Sequence, residues 1–422
     1  MYRRVYIPRI AASVRASSSF AGCFSHTVGM KSGLMTSARP EHELLRLCVR
    51  RRLATTEPGF AHALLRRELD WAYLVETASR QLVVPLLAET IHALDDRDVP
   101  PAVRADVSER LKAVQARNST LALELVRLHR LASAASVTFL SFKGPLLATS
   151  VYGDLGLRQF GDLDILVDGA SFSGTEAFLT AHGYRRVRDF GYEVSLLHEH
   201  LGVTVDLHRA LSPDNFPVAT SFGQLWARRA VVPLHGASLE TLSRSDLLIA
   251  LCIEAVKDAR QGKVKLGKMS DVAHVAMSGL DWRDVETQAR HLGVRRVVSF
   301  VIGLVADVLQ LSLNELPGPP VDHPRLTVVL RDVHAGLFGT AHSPSPSGGD
   351  LFHFHLREAW RDKLRLYVRR GHRLLAPNAL DRQVLPIPAW LSPLYYLVRP
   401  LRLAGVYGRQ LARGMARAKT IP

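Results

Sequence analysis

Apolar residues recur at helical spacing in two long parts of the chain, on either side of a segment with strand-like alternation. From Glu41 to about Ala135, apolar positions return every three or four residues, which predicts an N-terminal helical cap over residues 41–135. Its last helix is predicted from Val103 to about Ala134. The helical period returns over residues 236–312, where Ser243 is predicted to begin the first helix.

The segment between them, residues 136–235, predicts short strands together with helices. The predicted strands are Val137–Phe142, Tyr184–Val187, Tyr192–Leu197 and Val203–Leu207. Ser173 and Glu176 have the form of a capping box, which predicts a helix that begins there and ends at Gly183. This order predicts an α+β fold with a small mixed β-sheet and helices packed against it, flanked by helical regions on both sides.

Two aspartates stand one residue apart at the start of the apolar run Ile165-Leu-Val167. Side chains at positions i and i+2 of a strand point to the same face, so Asp162 and Asp164 share a face. Adjacent carboxylates repel each other, and a hard cation such as Mg²⁺ between them removes that cost. By itself, an Asp-x-Asp pair is more often the solvated corner of a strand.

Lys143 and Gly144 lie directly after the first predicted strand and before Pro145. Proline suits the first turn of a helix, so the pattern predicts a strand, a tight turn and a helix N-terminus. Glycine allows close approach of the backbone, and a helix N-terminus with a lysine favours phosphate. Taken alone, the same residues also describe an ordinary turn with an exposed lysine.

A third acidic residue occurs in the alternating segment from Gly202 to His208. Thr204, Asp206 and His208 share one face of the predicted strand, and apolar residues occupy the other. Beside the strand of Asp162 and Asp164, Asp206 would complete a cluster of three carboxylates, which can hold two Mg²⁺ ions. The alternative is a half-exposed antiparallel strand.

These three pieces, in this order, resemble the nucleotidyltransferase superfamily shared with polymerase-β-like enzymes. The closer resemblance is to the bacterial family of uncharacterised nucleotidyltransferases. Its features are a Lys-Gly turn, a nearby tyrosine (here Tyr152), an arginine (here Arg158) before Gly-Asp-Leu-Asp-Ile-Leu-Val, and a Val-Asp-Leu-His strand. The wider superfamily usually has Gly-Ser at the turn where Lys143 and Gly144 stand, so the way the triphosphate is held stays open.

The resemblance implies an enzyme that transfers a nucleoside monophosphate from a triphosphate such as ATP to a hydroxyl-bearing acceptor. Asp162, Asp164 and Asp206 would be the catalytic residues and the ligands of Mg²⁺ or Mn²⁺. Lys143, Gly144 and Arg158 would bind phosphate. The acceptor stays open among a small molecule, a protein and a transfer RNA. In this interpretation residues 136–235 are the catalytic core and residues 236–312 close over the nucleotide.

A basic run from Lys257 to Asp271 lies inside the second helical region. A charge run of this kind usually forms a solvated loop between helices. The resembling family has a basic helical segment here, which implies that Lys257 and Lys268 contact the triphosphate or the base. Asp271 is predicted either to cap a helix or to pair with a lysine.

The formal net charge of +15 favours anionic partners, and much of the excess lies in the two ends of the chain. Residues 1–40 have no acidic residue, which predicts a disordered basic arm or a start codon placed too early. Residues 313–350 are predicted to be a linker. Residues 351–422 are predicted to form a basic helical region that lies on an anionic membrane or packs back on the protein.

The three cysteines are widely spaced, so a zinc site or a disulfide framework is not expected, and a reducing cytoplasmic compartment is the default. No apolar run reaches the length of a membrane-spanning helix. His198 and His200 are a possible metal pair, with a loop role as the alternative. A non-catalytic scaffold that binds nucleotide or a membrane surface is the second hypothesis, although the presence of all three carboxylates favours activity.

Overall fold

The computed structural model describes residues 39–53, 64–65, 67–95, 97–213, 216 and 218–312, with isolated positions at 316, 333, 336–338, 356, 358 and 368. The predictions for the basic arm, the linker and the basic C-terminal region lie outside these residues, apart from those positions.

Four helices form the N-terminal part of the described chain. They are α1 (Pro40–Leu53), α2 (Trp71–Arg80), α3 (Val84–His92) and α4 (Pro101–Ala134). The side chain of Asp70 caps α2 by accepting a hydrogen bond from the backbone N–H of Tyr73 at 2.9 Å. Pro101 begins α4, two residues before the predicted start at Val103, because its missing N–H costs nothing in the first turn.

A five-stranded sheet follows, and it confirms the predicted α+β fold. Its strands are β1 (Leu140–Ser141), β2 (Asp162–Leu166), β3 (Arg185–Asp189), β4 (Glu193–His198) and β5 (Val203–His208). The spatial order is β1-β2-β5-β4-β3, and only the β2–β5 pair of this sheet is parallel, which makes the sheet mixed. The first strand is shorter than predicted, because only Leu140 and Ser141 pair with β2.

The two faces of this sheet differ in chemistry. Leu163, Ile165 and Val205 are buried on one face, in a core that includes apolar residues of α4. Because side chains alternate along a strand, Asp162, Asp164 and Asp206 occupy the other face. Asp164 on β2 lies directly opposite Asp206 on β5 in the parallel register. The strand period therefore gathers the three carboxylates on one surface.

The other helices of the described chain include short elements around the sheet and a bundle after it. They are α5 (Gly144–Leu147), α6 (Phe172–Ala181), α7 (Phe222–Ala227), α8 (Arg244–Gln261), α9 (Leu266–Ala276), α10 (Trp282–His291) and α11 (Arg295–Leu309). A hairpin of β6 (Ala230–Leu234) and β7 (Ala237–Thr241) precedes α8. Helices α8 to α11 share one hydrophobic core with α1 to α3. The predicted domain boundaries stay a prediction.

One local prediction was wrong. The helix predicted to begin at Ser173 begins at Phe172, because a short 3₁₀ turn capped by Asp168 leads into it. The basic run is mostly helical, as in the segment that the resemblance implies, and is not the solvated loop that was the alternative. Lys257 lies on α8, and Lys268 lies on α9. Carboxylates neutralise these lysines within the protein, as described below, so the run does not need solvent.

The turn between α2 and α3 fixes the start of α9. Gln81 accepts a hydrogen bond from the N–H of Leu266 at 2.8 Å with its side chain, and from the N–H of Gly267 at 2.9 Å with its carbonyl. A Cβ atom at Gly267 would lie 2.7 Å from the carbonyl oxygen of Leu82, so glycine permits this close approach. The N-terminal helices thus position the helix that carries Lys268 and Asp271.

Candidate active site

Asp162, Asp164 and Asp206 form an acidic cluster on the polar face of the sheet, in which Asp164 is buried and the other two are partly buried. Burial, followed by the neighbouring charge of Asp164, raises the pKa of Asp162 to about 6. Burial also raises the pKa of Asp206, against a hydrogen bond from Ser195. Oδ1 of Asp206 is buried and has no hydrogen-bond partner among the described residues. The cluster therefore contains a carboxylate oxygen that can still accept a proton or bind a cation.

Asp164 is the exception in this cluster, because it is stably ionised. Burial would raise its pKa, but the ammonium of Lys143 and a hydrogen bond from His208 together lower the pKa to about 2. Lys143 Nζ lies 2.8 Å from Asp164 Oδ1, and His208 Nε2 lies 3.1 Å from the same oxygen. The other ring nitrogen of His208 faces Glu193 at 3.3 Å.

A charged network continues from Asp164 onto α8 and α9. Lys143 Nζ also lies 2.8 Å from Oε2 of Glu254 on α8. Oε1 of Glu254 accepts a hydrogen bond from Lys268 at 2.8 Å, and Lys268 also contacts Asp258 at 2.5 Å. Burial opposes ionisation of Glu254, but the lysines hold its pKa well below the usual value.

Sequence reasoning missed Glu254, although one signal was present. It stands within the apolar stripe of α8, next to Ile253 and Ala255, which are both buried. An acidic residue at such a position requires a buried positive partner. Lys143, 111 residues earlier in the chain, is a partner that spacing does not reveal.

Gly144 adopts the backbone conformation that the predicted turn requires. Its φ of +49° lies in the left-handed region, where a side chain is strained, and an added Cβ would meet the carbonyl oxygen of Asp162 at 3.3 Å. The helix that follows is shorter than expected, since α5 has four residues and continues as a π-helical turn to Tyr152. The turn brings Lys143 against Asp164 on β2, and phosphate binding by Gly144 stays a prediction.

Arg158 and Asp271 form a bidentate ion pair. Arg158 Nε donates to Asp271 Oδ1 at 2.8 Å, and its terminal NH2 group donates to Oδ2 at 2.9 Å. The hydroxyl of Tyr152 donates to Asp271 Oδ1 at 2.8 Å. Both predictions for Asp271, a helix cap and a lysine partner, were wrong. A third donor of Arg158 contacts the carbonyl oxygen of Gly144 at 3.5 Å, and the role of Arg158 as a phosphate ligand stays a prediction.

A cleft with two lobes surrounds the acidic cluster. The larger lobe has a volume of about 140 Å³, and the smaller one about 80 Å³. Both lobes are lined by Lys143, Asp162, Asp164 and Glu254. The larger lobe adds Arg158, Lys268, Asp271 and an apolar wall of Leu82, Leu86, Leu157 and Phe160, and the smaller one adds Tyr192, Asp206, His208 and Lys257. The Lys143–Glu254 contact thus stands between the lobes.

Lys257 lies in the smaller lobe, where its ammonium donates to the hydroxyl of Tyr192 at 3.1 Å. Burial opposes its charge, but Glu254 and Glu193 raise the pKa of Lys257 above the usual value. It therefore remains a cation on the side of the cleft that contains Asp206. Lys257 and Lys268, the two lysines predicted to contact the triphosphate or the base, therefore lie in different lobes.

Carboxylate oxygens of the acidic cluster have the hard donor chemistry that Mg²⁺ and Mn²⁺ prefer. The orphaned Oδ1 of Asp206 fits such an ion, although Lys143 engages Asp164 in this structure. Within the described part of the chain, no group of three or more His, Cys, Asp or Glu side chains is already arranged to hold a metal. His198 and His200, the other metal candidates, lie in an edge-on ring contact at 6.3 Å.

His274 gives the structure a pH dependence that can be measured. Burial, with its ring stacked on Tyr152 at 4.1 Å, lowers the pKa of His274 to about 4 from the 6.5 of an unfolded histidine. Between these values the unfolded chain binds the proton and the folded chain does not, so its contribution to stability falls as the pH falls from 6.5 to 4. Comparing urea unfolding of the wild type and His274→Gln, we expect the wild type to lose about 2 kcal/mol more between pH 7 and pH 5. Equal losses would contradict the buried neutral ring.

Residues 67–310 match the family described as uncharacterised nucleotidyltransferases. The chain belongs to this family. The match confirms the resemblance, and it spans α2 to α11 and every candidate site residue. No curated protein matches the chain. In the described residues of this nucleotidyltransferase-family protein, no helix is long and apolar enough to cross a membrane.

Two solved structures are similar to parts of the chain. One is the lincosamide antibiotic adenylyltransferase LnuA with lincomycin bound, at 17% identity over 36% of this chain and 94% of that chain, with a TM-score of 0.28. The other is an antigenic nucleotidyltransferase-like protein from Paracoccidioides brasiliensis, at 16% identity over 46% of this chain and 94% of that one, also with a TM-score of 0.28. Likeness at this level says nothing about the substrate of this family member.

Proposed function

We propose that this protein transfers a nucleoside monophosphate from a nucleoside triphosphate to a hydroxyl-bearing acceptor, with the help of Mg²⁺ or Mn²⁺. The observation that supports it is the placement of three carboxylates on adjacent parallel strands, with Asp164 opposite Asp206 and a lysine against Asp164. Phosphoryl transfer depends on positioned charges that stabilise charge developing at phosphorus. The family membership agrees with this chemistry.

The acidic cluster would hold the divalent ions. Asp162 and Asp164 would bind the ion shared with the triphosphate, and Asp206 would join them in binding a second. A bound ion of this kind neutralises phosphate charge and lowers the pKa of an attacking hydroxyl. The free Oδ1 of Asp206 is also suited to accept the proton of that hydroxyl, because burial raises the pKa of this carboxyl.

The lysines would bind phosphate oxygens on the two sides of the cluster. Lys143 and Lys268 lie in the larger lobe and would brace the leaving pyrophosphate, with the amide of Gly144 nearby. Lys257 would face the acceptor or the α-phosphate from the smaller lobe. The apolar wall of the larger lobe would lie against the base and the ribose.

The charge of the cleft supports a need for metal ions. Carboxylates outnumber the lysine and arginine side chains in its lining, which holds Asp162, Asp164, Glu193, Asp206, Glu254 and Asp271 beside Lys143, Arg158, Lys257 and Lys268. A triphosphate is itself a polyanion, so this lining repels it unless cations bind with it. Nucleotide binding is therefore expected to disappear when divalent ions are removed.

The function can be tested by label transfer. The purified protein would be incubated with each α-³²P-labelled nucleoside triphosphate and with small-molecule, RNA and protein fractions of a cell extract. We expect one fraction to become labelled in Mg²⁺ or Mn²⁺, and labelling to fall to background in EDTA. Calorimetry with Mg²⁺ and nucleotide tests the second hypothesis, since failure of both label transfer and binding would favour a scaffold.

A further inference from the structure

Lys143 is held between two carboxylates that belong to different parts of the fold. Its ammonium lies 2.8 Å from Oδ1 of Asp164 in the sheet and 2.8 Å from Oε2 of Glu254 on α8. The Asp164 side chain is buried, and those of Lys143 and Glu254 are 14% and 19% exposed, so breaking either contact leaves a largely buried charge without a partner. Lys143 thus neutralises Asp164 in the way that a bound cation would.

A divalent ion at Asp164 competes with this ammonium for the same carboxylate. An ion that takes Asp164 displaces Lys143 from one of its two partners, and a buried ammonium without a partner is costly. Glu254 supplies the partner that remains. Its other oxygen, Oε1, is already bound to Lys268, so Glu254 holds two ammonium groups through separate oxygens.

The shape of the cleft agrees with such a rearrangement. Lobes of about 140 and 80 Å³ are smaller than the roughly 300 Å³ or more that small-molecule sites usually offer. The side chains of Lys143 and Glu254 line both lobes, and Lys143 also contacts Asp164, so movement of Lys143 would change the shape of both lobes.

We propose that Glu254 is a positioning residue that retains Lys143 in the cleft when a divalent ion occupies Asp164, and thereby keeps this ammonium beside the phosphates together with Lys268. This role rests on the proposed function. In this role, Lys143 competes with the metal ion for the carboxylate of Asp164. Glu254 weakens that competition because it offers Lys143 another carboxylate. The two side chains therefore have opposite effects on metal affinity.

A double-mutant cycle followed by Mn²⁺ binding, measured by electron paramagnetic resonance without nucleotide, tests this role. Lys143→Met removes the competing ammonium and is expected to tighten Mn²⁺ binding about three-fold or more. Glu254→Gln leaves Lys143 more firmly on Asp164 and is expected to weaken binding by about the same factor. In the Lys143→Met background, Glu254→Gln is expected to change the logarithm of the Mn²⁺ dissociation constant by less than half of the change that it causes in the wild type.

Asp258→Asn is the matched control, because the ion pair of Asp258 is with Lys268, whereas Lys143 pairs with Asp164 and Glu254. Its Mn²⁺ affinity should stay within about two-fold of the wild type. Thermal unfolding verifies that each variant is folded, and Lys143→Gln replaces Lys143→Met if the latter is not. If Glu254 were merely structural or acted through space, Glu254→Gln would weaken binding equally in both backgrounds, and the proposal would be wrong.

The cycle also separates this proposal from the proposed function. A wild type that binds Mn²⁺, with additive effects of the two substitutions or weaker binding by Lys143→Met, overturns the role of Glu254 and leaves the metal-dependent function standing. A folded wild type that binds no Mn²⁺ overturns both. Opposite single effects with strong coupling support the role.

Discussion

Asp164→Asn is expected to reduce label transfer on the order of 10³-fold, the loss that corresponds to several kcal/mol of transition-state stabilisation. Asp164 is the carboxylate around which the cleft is organised, since it contacts Lys143 and His208 and lies opposite Asp206. Asparagine has nearly the same shape but no charge. It therefore loses the attraction for both the ammonium and a divalent ion.

Asp168→Asn is the matched control for this prediction. Asp168 lies just after the same strand, and its side chain caps a 3₁₀ turn by accepting the N–H of Ala170. It does not line either lobe described above. We expect its label transfer to stay within about two-fold of the wild type, because asparagine can make the same cap. If Asp164→Asn retained activity similar to the control, the catalytic assignment would be wrong.

Asp271→Asn is expected to lower the free energy of unfolding by about 3 kcal/mol. The substitution removes the charge that neutralises the buried guanidinium of Arg158, and it weakens the hydrogen bond from Tyr152. These contacts join α9 to the segment before β2, so stability and cleft geometry depend on the same residue. Urea unfolding at pH 7.5 measures the effect.

An exposed ion pair provides the control for Asp271. Glu286 contacts Arg290 and Arg295 at the surface of α10 and α11. Surface pairs contribute little, so Glu286→Gln should change the unfolding free energy by less than about 1 kcal/mol. Equal effects of Asp271→Asn and Glu286→Gln would show that the buried pair does not hold the fold together.

The residues that lie on strands were the most predictable from sequence. Asp162, Asp164 and Asp206 follow the two-residue period of strands, so their shared face was evident before their neighbours were known. To predict that these carboxylates lie close together, one had only to assume that β2 and β5 are neighbouring strands. In the structure the two strands are paired, with Asp164 directly opposite Asp206.

Contacts between distant helices were not predictable in the same way. Glu254, Asp258 and Asp271 each contact a lysine or arginine that no local pattern assigns to them, so the charge run from Lys257 by itself left a solvated loop open as an alternative. Its lysines are neutralised within the fold, so composition alone overstates their exposure. The Arg158–Asp271 pair was not predictable for the same reason, because the partners are 113 residues apart.

The position of the label tests the central claim most directly. Parallel reactions of the wild type would contain α-³²P- or γ-³²P-labelled triphosphate, Mg²⁺ and the extract fraction that accepts label. Nucleotidyl transfer breaks the bond between the α- and β-phosphates, so the account predicts α-label on the acceptor and γ-label only in released pyrophosphate. Transfer of the γ-label to the acceptor, or no transfer of either label, would contradict it.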